Sequence, residues 1–196
     1  MQNQKQKKAI NRSADLPGDF AIWIFIFAEL GVFAVFFLAY AFARSGDVEM
    51  FNHYQQSLDK ESGAINTLVL ITSSYFVVKA VQAIKQGLQQ HCANWLLAAI
   101  AGGGIFLIVK TIEFADKFAH GITLSSNTFY MFYLSLTFFH FMHVILGMVI
   151  LFAVWLNTRK GKYTATEHTG VETGGAYWHM VDLVWIVLFP LVYILH

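Results

Sequence analysis

The sequence holds one cysteine, Cys92, which excludes an internal disulfide and a cysteine-built metal cage. Charged residues are scarce, 13% of the chain, and nearly balanced at a formal net charge of +1. That removes any electrostatic case for a nucleic-acid partner. No cleavable signal peptide is expected, because the first apolar run is too long and lacks a small-residue cleavage site. No internal repeat or low-complexity tract stands out. No nucleotide, phosphate or nucleophile motif appears either: Gly102-Gly103-Gly104 lacks both the strand–turn–helix setting and the lysine of a phosphate loop.

What the chain has is apolar side chains, 57% of 196 residues, 19 of them phenylalanine. Mean hydropathy is +0.53. This is a membrane protein's composition, and the expected fold class is all-α and integral to the membrane. The most informative stretch runs from Val171 to His196. From Ala176 onward it is long and apolar enough to cross a bilayer, yet it carries His179 and Asp182. These lie three residues apart and share a helix face. Trp178, Asp182, Trp185 and Phe189 draw a second stripe beside them. A carboxylate in lipid costs roughly 2.5–3.5 kcal/mol. Asp182 should therefore face protein, with His179 as its nearest candidate partner.

Residues 1–18 read as a basic tail, with Lys5, Lys7, Lys8 and Arg12, closing in a turn at Leu16-Pro17-Gly18; Asp19 then offers an N-cap. Five spans follow, at about 20–42, 64–84, 94–114, 127–156 and 176–195, each long enough for a hydrocarbon core of roughly 30 Å. The first carries a single charge, Glu29. A polar loop at about 43–63 leads to the second, whose Thr72, Ser73 and Ser74 permit close helix approach. Lys79 can snorkel from its end. The third contains Gly102-Gly103-Gly104 and ends in Lys110 and Glu113, read as an interfacial pair. The fourth is the longest and aligns Thr137, His140, His143 and Gly147 in one stripe.

Five spans place loops on alternating sides. One side gathers nine basic residues: Lys5, Lys7, Lys8, Arg12, Lys79, Lys85, Arg159, Lys160 and Lys162. The other gathers four, Arg44, Lys60, Lys110 and Lys117. The positive-inside rule then puts the N-terminus in the cytoplasm and the C-terminus outside.

His140 and His143 form a histidine pair one helical turn apart. Neutral imidazoles can ligate a metal if Glu113, Glu29, His179 or Asp182 reach the same depth. The plainer reading is a hydrogen-bonded pair that braces helix contacts. Glu29, alone in its helix, either takes part in proton transfer or hydrogen-bonds in its neutral form. Trp178 and Trp185 read as packing residues, as does Gly147.

At these residues the sequence resembles subunit III of the haem–copper oxidase superfamily. The glutamate helix of that family looks like Glu29 within Ala28-Glu29-Leu30-Gly31-Val32-Phe33. The next helix is similar at Ile65-Asn66-Thr67 through Ser73-Ser74. A glycine-rich helix with an acidic–aromatic end matches Gly103 to Glu113-Phe114. The signature T-G-F-H-G-x-H-V-x-x-G looks like Thr137 to Gly147, and the closing Y-W-H-x-V-D-x-V-W is met from Tyr177 to Trp185. Residues 19–196 would then form one subunit III-like membrane domain. The opening Leu16-Pro17-Gly18-Asp19…Ile22-Trp23 and the short length look most like the accessory E protein of bacterial nitric oxide reductase. The five-span subunit III of cytochrome c or quinol oxidases is the close rival.

The resemblance implies a non-catalytic subunit of a respiratory complex in a bacterial inner membrane. It would carry no cofactor of its own. It would sit against a haem- and metal-bearing catalytic subunit I, bind phospholipid, and support durability and proton uptake. Independently of the resemblance, Glu29, Glu113, His140, His143, His179 and Asp182 are ionisable groups in apolar runs, and such groups are expected to pair inward as a buried polar network. Two departures matter. The long form has seven spans and this chain matches the last five, so the lipid cleft of the long form is not assumed. Phe139 and Phe141 stand where the signature has glycines. The alternatives from the residues alone are a small membrane metalloprotein using His140 and His143 with Glu113, and a free-standing proton carrier built around Glu29.

Overall fold

The computed structural model describes residues 19–195. The basic tail and its turn, residues 1–18, lie outside that range, as does His196. Six α-helices follow in order: α1 Phe20–Gly46, α2 Val48–Gln55, α3 Lys60–Lys85, α4 Gln89–Ala119, α5 Thr128–Arg159 and α6 Thr169–Phe189. A π-helical turn, Pro190–Ile194, completes the chain. Among the described residues there is no strand. Five helices are long and apolar enough to cross a membrane, so the chain is a multi-pass membrane protein.

Short polar side chains set where several helices begin. Asp19 accepts from Ala21 N–H, Asp47 from Met50 N–H, and Asn127 from Tyr130 N–H. Asp59 accepts from both Glu61 and Ser62 N–H at 3.1 Å. Each satisfies a donor that has no partner inside the helix. Glycine sets where three of them end: Gly87, Gly121 and Gly161 follow α3, α4 and α5 with φ of 77°, 73° and 71°. A side chain there would be strained, whereas glycine reaches the left-handed region freely.

The spans extend further than the apolar runs. α3 begins at Lys60 rather than near Ala64, and α4 covers Gln89–Ala119 rather than about 94–114. Polar flanks continue a helix once it is nucleated and capped. The expected loop at about 43–63 also needs correction. It contains α2, whose Phe51 and Gln55 are buried and whose Gln55 Nε2 donates to the Val192 carbonyl at 2.9 Å. Pro190 accounts for the π turn. It has no N–H and crowds the carbonyl one turn back, so the helix widens, and Leu195 N–H donates to the Pro190 carbonyl at 2.9 Å.

α3, α4, α5 and α6 close into a ring, each packed against the next and α6 against α3. α1 leans on the outside of this ring, along α6 and α5. Its buried residues, Ile26, Phe33 and Tyr40, recur every seven positions and form one narrow stripe. The rest of α1 points away, with Leu38 and Phe42 more than two-thirds exposed. An apolar surface of this kind suits lipid or a partner helix.

Candidate functional site

Trp178 is the centre of the ring. A Cβ on Gly103 of α4 would come within 2.7 Å of its indole, and a Cβ on Gly147 of α5 within 2.8 Å. The two glycines are the slots that receive the ring. On the third side its Nε1–H donates to Ser73 Oγ of α3 at 3.1 Å, and Ser73 donates to the Ala99 carbonyl at 2.8 Å. One residue of α6 thus touches every other helix of the ring. Trp185, the second packing tryptophan, is fully buried and donates its Nε1–H to Thr67 Oγ1 at 2.9 Å.

The ionisable residues do not form one network, which corrects the expectation drawn from their shared apolar setting. They separate into three groups and one solitary ring. In the first group, His143 Nε2 lies 3.0 Å from Glu29 Oε2, while its Nδ1 donates to the Phe139 carbonyl at 2.7 Å. This tie joins α1 to α5.

The second group is Lys110 with Glu113. Lys110 has no exposed surface, so it is a core residue and not the interfacial one expected. Its Nζ donates to Glu113 Oε2 at 2.9 Å and to the Tyr193 hydroxyl. Tyr193 in turn donates to Glu113 Oε1 at 2.7 Å, and Tyr133 donates to the same oxygen. The ammonium also lies 5.1–5.6 Å from the ring centroids of Tyr193, Trp185, Tyr133 and Phe114. Two hydrogen bonds, one of them to a carboxylate, and a cage of aromatic faces make this buried charge tolerable. Tyr133 and Tyr193 were not anticipated from sequence.

In the third group His179 is not the partner of Asp182. Its Nδ1 lies 2.6 Å from Ser74 Oγ, and Ser74 also lies against the Asp182 carboxyl. Three residues of separation put His179 and Asp182 on one helix face, and the facing helix then inserted a hydroxyl between them. Asp182 Oδ1 is buried with no hydrogen-bond partner among the described residues.

His140 is the solitary ring. It is fully buried, stacked 5.1 Å from Trp185 and edge-on to Phe106, and neither nitrogen has a partner among the described residues. His140 and His143 therefore do not hydrogen-bond to each other, and they point at different neighbours. The metalloprotein reading needed His140, His143 and Glu113 together. The fold sends His143 to Glu29 and Glu113 to Lys110. No group of three metal-ligating side chains gathers among the described residues. Glu29, the only charged residue of its span, meets His143.

Among the described residues these contacts fasten helices to one another. The family model described as "Cytochrome c oxidase subunit III" matches residues 13–196. The chain is 34% identical over 177 residues to the cytochrome c oxidase subunit 3 of Synechocystis sp., covering 90% of this chain and 75% of that protein. It is 35% identical over 173 residues to that of Thermostichus vulcanus, covering 88% and 84%. It is 30% identical over 172 residues to that of Corynebacterium diphtheriae, covering 87% and 84%. All three carry the oxidase name; none is a nitric oxide reductase accessory protein. From a match that takes in all five spans, we conclude that this chain belongs to the cytochrome c oxidase subunit III family.

Proposed function

We propose that the chain is a non-catalytic subunit of a respiratory haem–copper oxidase. It sits beside a haem-bearing catalytic subunit of the subunit I kind and supports the assembly, durability and proton uptake of the complex. One observation carries this reading: several polar residues of the family motifs are engaged inside this chain, bridging its helices. Glu29 meets His143, Trp178 meets Ser73, and Glu113 meets Lys110 and two tyrosines. Haem and metal would belong to the partner. The exposed apolar flanks of α1 and α5 suit that partner and bound phospholipid. The bacterial relatives support a bacterial inner-membrane setting, and the distribution of basic residues supports a cytoplasmic N-terminus. The names of the relatives favour an oxygen-reducing complex over nitric oxide reductase.

The test is purification of the tagged chain from its native membrane in mild detergent. An optical spectrum and mass spectrometry of the co-purified material would follow. A haem spectrum together with an oxygen-reducing subunit I supports the proposal. A nitric oxide reductase catalytic chain replaces it with the rival complex. A colourless chain without partners, even after crosslinking, overturns it.

A further inference from the structure

Five oxidisable rings follow one another from the middle of the bundle to its polar end. Centroid to centroid, Trp185 lies 6.4 Å from Tyr193, Tyr193 6.0 Å from Tyr133, Tyr133 6.4 Å from Tyr130, and Tyr130 5.4 Å from Tyr54. No step passes through phenylalanine, although that is the commonest ring in the chain at 19 residues. Trp185, Tyr193 and Tyr133 have no exposed surface, and Tyr130 is buried. Tyr54 is half-buried on α2, in the polar connection between two spans, and lies against the exposed His53. Tryptophan and tyrosine give up one electron far more readily than phenylalanine. Rings this close pass it on by tunnelling.

Each buried ring also has its exchangeable hydrogen held by an oxygen. Trp185 Nε1–H donates to Thr67 Oγ1 at 2.9 Å. Tyr193 and Tyr133 both donate to Glu113 Oε1. Ser57 Oγ gives its one proton to the Tyr54 carbonyl at 2.6 Å, so Tyr130 is the donor to Ser57 Oγ at 2.9 Å. A phenol that loses an electron becomes a strong acid. An acceptor already in contact takes the proton and returns it when the electron comes back. The charges beside the rings differ as well. The Lys110 ammonium lies 5.2 Å from the Trp185 centroid and makes that ring hard to oxidise. It is as near to Tyr193 and Tyr133, but there the Glu113 carboxylate offsets it and receives the protons. A hole placed on Trp185 therefore moves to the tyrosines.

We propose that these rings form a relay that carries a one-electron oxidising equivalent out of the bundle to Tyr54, where a water-soluble reductant discharges it. The oxidant is an alkoxyl radical of a neighbouring lipid. Ile186, next to Trp185, is 44% exposed, so such a radical is separated from the ring by no more than a helix diameter, roughly 10–12 Å. The radical gains one electron from Trp185 and one proton and becomes an alcohol. Trp185 is refilled from Tyr193, Tyr193 from Tyr133, Tyr133 from Tyr130 and Tyr130 from Tyr54, each inner phenol recovering its proton with its electron. Tyr54 loses one electron and releases its phenolic proton to water, which balances the proton taken up by the radical. A thiol or ascorbate then gives the Tyr54 phenoxyl radical one hydrogen atom. The relay is the same whichever complex the chain joins.

The full chain with Cys92→Ala and Ile186→Cys is labelled at position 186 with a ruthenium polypyridyl photo-oxidant and placed in phosphatidylcholine nanodiscs. A laser flash in the presence of an external electron acceptor generates the oxidised label. Transient absorption and electron paramagnetic resonance then follow the hole. The expected product is a neutral tyrosyl radical that is lost in Tyr54→Phe and quenched by ascorbate. Its yield should fall at least tenfold in Tyr133→Phe and, separately, in Tyr130→Phe. Tyr75→Phe, exposed on α3 and outside the series, should leave it unchanged. Each variant counts only if it melts like the labelled parent, and either interruption alone decides. A hole that stays on Trp185, or a Tyr54 yield unchanged in a folded interruption, shows that the rings serve packing only and overturns the proposal.

Discussion

Glu29 and His143 meet at 3.0 Å across α1 and α5, and the second nitrogen of His143 is already committed to the Phe139 carbonyl. A carbonyl only accepts, so Nδ1 carries a proton. Nε2 and the glutamate then share one more: either the acid donates to the imidazole or the imidazolium donates to the carboxylate. Glu29→Gln keeps a donor toward Nε2, and Glu29→Leu does not. The glutamine variant should melt close to the parent. The leucine variant should lose about 1–3 kcal/mol. Thermal unfolding in detergent measures both, and equal losses would mean that the tie does not brace α1.

Trp178 and Gly147 should be coupled. Gly147→Val places a Cβ within 2.8 Å of the Trp178 ring. Overpacking of this kind costs about 1–3 kcal/mol. Trp178→Phe gives up the bond to Ser73 and part of the ring volume. Because the smaller ring vacates space beside position 147, the double variant should be more stable than the sum of the two losses predicts. Simple additivity in a double-mutant cycle would mean that the slot and the ring are independent.

Lys110 and Glu113 answer differently to single and double replacement. Lys110→Met leaves a buried carboxylate without its cation, a loss of about 3–5 kcal/mol. Replacing both, Lys110→Met with Glu113→Leu, removes the charge as well and should restore most of that stability. A double variant as unstable as the single would show that the aromatic cage, not the charge balance, fixes this part of the ring.

Asp59 gives the clearest pH signature. The Ser62 hydroxyl, with the Ser62 and Glu61 backbone N–H groups, holds its carboxyl below the ordinary value of 3.8. A lowered folded-state value means that stability is present above pH 3.8 and is lost as pH falls through the folded value. Asp59→Ala should cost about 1 kcal/mol at neutral pH, the usual loss for a helix cap. The gap between parent and variant should narrow below pH 3.8, as followed by unfolding midpoints across a pH series.

The spans were legible because each apolar run is long and none carries more than two charged residues. Their ends were not, since an apolar run says nothing about a capped polar turn such as Asp59 to Ser62. α2 escaped because Val48–Gln55 carries little apolar surface and is helical through its Asp47 cap and the burial of Phe51. The candidate residues were legible as ionisable groups in apolar surroundings, and Trp178, Trp185 and Gly147 as packing positions. Their pairing was not. Spacing along a helix fixes the face on which a side chain lies, whereas the partner depends on which helix arrives there and at what height. Ser74 was read as a small residue that lets helices approach; the same hydroxyl lies beside His179 and Asp182. Tyr193 reaches Glu113 from the π turn, a distortion that Pro190 imposes and that no periodicity displays.

The position of α1 outside the ring has a consequence for biogenesis. Glu29 is made 114 residues before His143, the residue it meets. At roughly 5–20 residues per second of synthesis, the carboxyl waits roughly 6–23 seconds in the membrane before its partner has been synthesised. Asp19, whose N–H donates to Thr173 Oγ1 at 3.0 Å, waits longer still. The contacts that fasten α1 at its two polar positions therefore form only after α5 and the start of α6 have been synthesised.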